Sequence, residues 1–177
     1  MAKKTSQLPQ PTYQDYLERF PEVELPVIIT DALQRELEKV NKPFPELIQH
    51  AFVEKADRWP RDEFTEYLPG FKVTTDKNFD AVVFWKAGLM SYEYILATYS
   101  PKGELISSEI IAKMNVGKNS IAQSATVISA DWIIYVVEGQ LDLAETDEFD
   151  PANTVSYNFE VLPSGEIIKY GEEEFLS

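Results

Sequence analysis

The sequence predicts an α+β fold in which an antiparallel β-meander of about seven strands, residues 71–170, is covered by short helices drawn from residues 12–70. Three observations carry this. A short phrase occurs twice, Pro101-Lys102-Gly103-Glu104-Leu105-Ile106 and Pro163-Ser164-Gly165-Glu166-Ile167-Ile168. Each copy separates two β-branched or alternating apolar runs, and proline followed by glycine in such a gap is hairpin-turn chemistry. The apolar periodicity is helical before Phe71 and extended after it. Helices are thus gathered in one segment and strands in another, the pattern of an α+β chain. Sequential hairpins can also close on themselves, so a small closed β-barrel is the competing arrangement.

The elements follow in order. Residues 1–11 read as a flexible lead-in. Thr12 with Asp15 forms a capping box before Tyr13, Tyr16, Leu17 and Phe20, which share one helical face, and Pro21 stops that helix. The run from Val23 to Ile29 is β-branched but contains Pro26, which removes a ladder hydrogen bond and limits the run to an edge strand or an extended cover. Asp31 and Gln34 mark the start of a second helix with Leu33, Leu37 and Val40 on one face, ended by Pro43 and Pro45. A third helix, Glu46 to Ala56, aligns Phe44, Leu47, Ile48, Ala51 and Phe52. A brief fourth helix after Pro60 uses Phe64, Tyr67 and Leu68 and ends at Pro69-Gly70.

The expected strands are Asp80–Lys86, Tyr92–Ser100, Glu104–Lys113, Ala122–Ser129, Asp131–Glu138, Val155–Pro163 and Glu166–Tyr170. Tyr157, Phe159 and Val161 alternate with Ser156, Asn158 and Glu160, which describes a strand with one buried and one wet face. Residues Trp132 to Val137 are apolar throughout, which predicts a central strand covered on both faces. Two copies of the hairpin phrase are too few for a repeat architecture, so the likeness is read as convergent turn chemistry.

At 177 residues the chain suits a single domain, residues 1–177, with helical cover over 12–70 and sheet over 71–177. The first residues carry Lys3 and Lys4 with no apolar stretch behind them, and no segment reaches the roughly 18 apolar residues of a membrane helix. The expected location is therefore cytoplasmic, with no membrane association. The absence of cysteine excludes a disulfide framework, a thiolate nucleophile and cysteine-based metal sites. The net charge is −14, and residues 138–177 hold eleven acids against one base, Lys169. A field of that sign repels phosphate backbones and anionic membranes, so nucleic acid is a poor partner and is not expected, whereas a basic protein or a cation suits it.

Candidate sites are few. The single histidine, His50, lies about 120° from the centre of its helix's apolar stripe and is expected to face solvent, which leaves no base for a Ser-His-Asp triad. The densest set of oxygen ligands is Asp142, Glu145, Asp147, Glu148 and Asp150, but hard cations want about six to eight oxygens and the segment lacks the glycine and acid spacing of an EF-hand loop. It reads as a solvated acidic loop whose Glu145, Asp147 and Glu148 are candidates for contact with a protein partner. Gly117-Lys118-Asn119-Ser120 lies between two strands and lacks the preceding glycine of a phosphate loop. A carboxylate pair flanked by Trp85, Tyr92, Tyr94, Tyr99, Trp132 and Tyr135 is the ingredient set of a glycoside hydrolase, although core strands supply such aromatics for packing alone. No cofactor is expected.

The order Tyr16-Leu17, Phe20-Pro21, Leu25-Pro26, then Tyr67-Leu68-Pro69-Gly70, then Thr98-Tyr99-Ser100-Pro101-Lys102-Gly103-Glu104-Leu105-Ile106 and Ile111-Ala112 resembles an uncharacterised family of small bacterial α+β proteins. The resemblance implies the fold class; its motifs are turn and strand residues, and it brings no activity and no site residue. Members are often exported, whereas this chain shows no signal. The function expected from the residues is a non-enzymatic, protein-binding module acting through the acidic C-terminal region, in the manner of an immunity protein. The rivals are a carboxylate-based hydrolase with an aromatic-lined pocket and a structural homo-oligomer.

Overall fold

In a computed structural model, which describes residues 8–144 and 153–174, strands far outweigh helices and form one open sheet of ten strands. The helical elements are α1 (Tyr13–Leu17), α2 (Asp31–Val40), α3 (Glu46–Ile48) and α4 (Glu54–Ala56), the last two joined by a π turn at Gln49–Val53. The strands are β1 (Glu22–Val23), β2 (Val27–Ile29), β3 (Glu66–Val73), β4 (Asp80–Ala87), β5 (Ser91–Tyr99), β6 (Leu105–Val116), β7 (Ser120–Ile128), β8 (Ile133–Asp142), β9 (Val155–Val161) and β10 (Ile167–Glu174). From β3 to β10 each strand pairs antiparallel with the next, β1 lies parallel to β3, and β2 pairs with β7.

The sheet is bent at β6. Only Met114–Val116 of this long strand pairs with β7, and further along β7 the ladder of Thr126–Ile128 is taken by β2 instead. Two hydroxyls bridge the opening: Ser124 Oγ accepts from Lys113 N at 2.7 Å, and Thr126 Oγ1 donates to Ile111 O at 2.6 Å. The halves fold toward each other and enclose one core, with Phe71, Val83 and Leu96 from one side meeting Ile134, Val136 and Phe159 from the other. A second core lies on the far side of β4 and β5, where Tyr16, Phe20, Phe44 and Val53 cover Val82, Phe84 and Ile95. The layers are α1, α3 and α4, then one sheet half, then the other, and α2 packs Leu33 and Leu37 against the core between the halves.

Local sequence explains most of the elements. The Thr12/Asp15 capping box forms as expected. Both repeated phrases build the same turn. Gly103 N donates to Ser100 O and Gly165 N to Leu162 O, at 2.9 and 2.8 Å, with both glycines at positive φ, +85° and +89°. The two turns abut, since Thr98 Oγ1 donates to Gly165 O at 2.5 Å. With Ile167 N donating to Ser107 Oγ, this is where β10 approaches β6, but no ladder joins them and the closed barrel does not form.

Five expectations are corrected. The sheet has ten strands rather than about seven, because β1, β2 and β3 lie before Asp80, where the first expected strand begins. The fourth helix is not formed; its Tyr67-Leu68-Pro69-Gly70 belongs to β3. The proline is tolerated because the β3–β4 register shifts between Pro69 and Phe71, and Gly70 suits the bulge since a Cβ there would meet Val83 O at 2.4 Å. Asn41 Nδ2, just past α2, donates to both Pro69 O and Gly70 O in place of a neighbouring strand. The second helix is capped by Thr30 rather than by Asp31, and its Val40 is exposed. The third helix spans its expected residues, but the π turn adds a residue and rotates the buried face beyond it, so Val53 and Ala56 are buried; Leu47, ahead of the turn, is exposed. Finally, β8 is covered on one face only; the strands buried on both faces are β4 and β5, because the helices pack there.

Candidate functional site

The uncovered face of β8 is the starting point. Val127, Tyr135, Asn158 and Tyr170 stand in one row across β7, β8, β9 and β10, extended by Ile28 of β2 opposite Val127. Flanking rows hold Ile133, Glu160 and Ile168 on one side and Ala125, Val137 and Ser156 on the other. Ile28 is 60% exposed, Tyr135 and Val137 46% each, Ile168 45% and Tyr170 41%. The inward neighbours Ile128, Ile134, Val136 and Phe159 are buried, so period-two alternation places this second apolar set outside. Among the described residues this outward face carries Glu160 as its charged member up to Tyr170, with Asp131 exposed at its margin. The Tyr170 phenol is held above its ordinary range, by desolvation first and then by the negative potential of Glu160, Tyr135 and Asp131. In these rows β9 contributes Ser156, Asn158 and Glu160, a polar strip between the apolar residues of β8 and those of β10. Exposed apolar anchors interleaved with polar groups and charge of one sign are the composition of a docking surface.

A buried polar cluster is the second feature. Tyr67, Lys86 and Glu93 are in register across β3, β4 and β5, under Asp57 at the end of α4. Lys86 Nζ lies 3.0 and 3.1 Å from the two Asp57 carboxylate oxygens, 2.8 Å from Pro60 O and 3.7 Å from Glu93 Oε2. Tyr67 donates its hydroxyl proton to Asp57, and Trp59 N–H donates to the same carboxylate. Burial, reinforced by the Asp57 charge, holds the Tyr67 phenol protonated well above its usual range. The ammonium is hydrogen-bonded to Asp57 and Pro60 O and lies buried beside Glu93, so the cluster fastens the 57–65 loop to the sheet.

The residues singled out in the sequence fall as follows. His50 is exposed, its Nδ1 2.8 Å from Glu54 Oε2 and its Nε2 3.7 Å from Glu46; the Glu54 hydrogen bond raises its pKa, with the carboxylate charges adding to it. Asp142 is exposed and accepts from Ala144 N at 2.9 Å. Glu145, Asp147, Glu148 and Asp150 lie outside the described residues, as do residues 1–7 of the lead-in. Among the described residues no group of three or more metal-binding side chains is found. The six aromatics proposed for a sugar cleft are divided. Tyr99 and Trp132 are core residues, one bonded to the Tyr16 hydroxyl and one edge-on to Phe79. Trp85 stacks on Tyr92, Tyr94 reaches Gln34 of α2, and Tyr135 looks outward. The outward apolar face was missed because residues Trp132 to Val137 read as doubly buried; the polar Ser156, Asn158 and Glu160 on the adjoining strand were the signal that this face is wet.

No family model, no curated protein and no solved structure matches the chain. Among the described residues no helix is long and apolar enough to cross a membrane.

Proposed function

We propose that the protein is a non-enzymatic binding module whose docking surface is the outward face of β2 and β7–β10, and that its partner is a basic protein. The observation that carries this reading is the set Ile28, Tyr135, Val137, Ile168 and Tyr170, apolar and exposed on β2, β8 and β10, with the half-buried Val127 of β7 between Ile28 and Tyr135. Tyrosines and aliphatics interleaved with polar residues and an acid supply the apolar anchors and the polar contacts that a protein interface uses. Charge selects the partner. The face holds Glu160 and no described cation, and the segment joining β8 to β9 adds Glu145, Asp147, Glu148 and Asp150 in sequence. Such a field speeds the approach of a basic protein and disfavours an acidic one. Its narrower form is an immunity-protein-like role, in which the acidic chain masks a basic toxin; charge is what supports that form.

The test captures proteins from a lysate of the source cells on tagged wild type and on a Tyr135→Glu/Ile168→Glu variant, washed at low and then high salt. A basic protein held by wild type, released by salt and missing from the variant is the expected result. With that partner purified, Glu145→Lys/Asp147→Lys/Glu148→Lys should slow association and flatten its salt dependence. The reading is overturned if the same proteins are held by both baits, or if nothing is held. It is equally overturned if light scattering shows a homodimer that the face variant splits, since the occupant is then a second copy.

A further inference from the structure

The outward face ends in a hollow. Where β2 runs into α2, a cavity of about 480 Å³ opens between Thr30, Asp31 and Ala32 on one side and Gln123, Ala125, Val137, Gly139 and Thr154 on the other. Its floor follows from residue size. Gln123 stands opposite Gly139 and Ala125 opposite Val137 in the β7–β8 ladder, so an alanine and a glycine occupy positions that elsewhere on this face carry Val127 and Tyr135. The hollow is thus continuous with the docking face, sharing Ala125 and Val137 with it. Its volume lies within the roughly 300–1,000 Å³ of sites that hold a small molecule or a few side chains.

One wall is anionic. Asp31 is exposed at the first position of α2, and its Oδ1 accepts from Gln123 Nε2 at 3.0 Å. Among the described residues no lysine, arginine or histidine pairs with it, whereas the nearby Lys113 is taken by Glu138 at 3.0 Å. The opposite wall carries the aliphatic Ala125 and Val137 beside Gly139, with Gln123 and Thr154 as its polar members. A carboxylate rim above an aliphatic floor matches a side chain with a cationic planar head on an apolar stem.

We infer that this hollow receives an arginine of the partner protein, its guanidinium against Asp31 and its stem on Ala125 and Val137, as the anchor at one end of the docking face. Arginine fits better than lysine because its fork offers several donors to a carboxylate, and because it is enriched among interface residues that dominate binding. The inference rests on the proposed docking face only for the source of the arginine.

The probe is N-acetyl-arginine amide, titrated into the ¹⁵N-labelled full chain and followed by amide chemical shifts, with the isosteric, uncharged N-acetyl-citrulline amide as comparison. Saturable shifts are expected at Asp31, Ala32, Gln123, Ala125, Val137, Gly139 and Thr154 with the arginine compound, and binding of citrulline about fivefold weaker or less. Asp31→Asn, which keeps the Thr30 cap, should weaken the arginine compound to the level of citrulline. Ala125→Leu, which fills the floor and leaves the charge in place, should abolish the shifts. No saturable shifts, equal binding of the two compounds, or undiminished binding by Ala125→Leu each overturns the inference. The capture experiment with Tyr135→Glu/Ile168→Glu reads the face without this probe, so the two ideas fail separately.

Discussion

Replacing Lys86 with methionine removes the cation beneath Asp57 while keeping chain length and most of the side-chain volume. The Asp57 side chain is 0% exposed and that of Lys86 6%, with contacts of 3.0 and 3.1 Å, so water does not replace the ammonium. The Tyr67 hydroxyl and Trp59 N–H still donate to the carboxylate but are neutral, and the remaining cation that acts on it, Arg61, is paired with Glu54 at 3.5 Å. Stripping one partner from a buried pair costs about 3–5 kcal/mol, set against a total stability of roughly 5–15 kcal/mol for a natural domain. At about 2–4 °C per kcal/mol for a chain of this size, the midpoint should fall by about 6–20 °C. Urea unfolding followed by circular dichroism gives the free energy directly, with the slope unchanged from wild type. A companion variant, Lys86→Met with Asp57→Leu, leaves no buried charge and should recover more than half of the loss, since replacing a whole buried pair by apolar groups is far less costly than halving it. The reasoning is refuted if the single variant lies within about 1 kcal/mol of wild type, or if the double variant is the less stable of the two.

Three more outcomes follow from particular residues. Gly165→Ala and Gly103→Ala combine positive φ with Cβ contacts of 2.9 Å to Ile106 and 2.6 Å to the Tyr13 ring, whereas Gly171, at +70°, has nothing within 4 Å. Gly171→Ala should therefore cost only the backbone term of about 1–2 kcal/mol and the other two more; equal losses at all three would show that the neighbouring side chains yield freely. His50 should titrate above its ordinary 6.5 in an NMR pH series, because Glu54 and then Glu46 favour its charged form. A raised folded-state pKa gives stability that is complete below the unfolded value and is lost as pH rises through the folded one, so any advantage of wild type over His50→Gln shrinks between pH 6 and 8; a gap that widens over that range contradicts the assignment. Tyr135→Glu with Ile168→Glu should leave stability within about 1 kcal/mol of wild type, since both side chains are exposed; a larger loss would mean the face is an integral part of the core.

The turns and the charge were legible in the residues themselves. The paired Pro-x-Gly phrases need only local dihedral preferences, and both became the same hairpin. The capping box at Thr12 and Asp15 is likewise a contact between residues three apart. Where the reading failed, the deciding partner was distant in sequence. Tyr67-Leu68-Pro69-Gly70 has the look of a helix end, yet β4 across the ladder and Asn41 from α2 hold it as a strand. The apolar run from Trp132 to Val137 states that two faces are hydrophobic and says nothing of what covers them; the helices settle on β4 and β5 instead, and Tyr135 and Val137 are left facing out. The Asp57–Lys86–Tyr67 cluster and the hollow beside Asp31 are assembled from segments decades of residues apart, with no spacing rule to announce them. By itself the sequence determined where the two repeated hairpins turn, which residues seek burial, and the strongly negative charge of its last forty residues, because those depend on each residue and its near neighbours. Only the tertiary structure decided which apolar face went without a cover, because that depends on how many layers compete for the same surface.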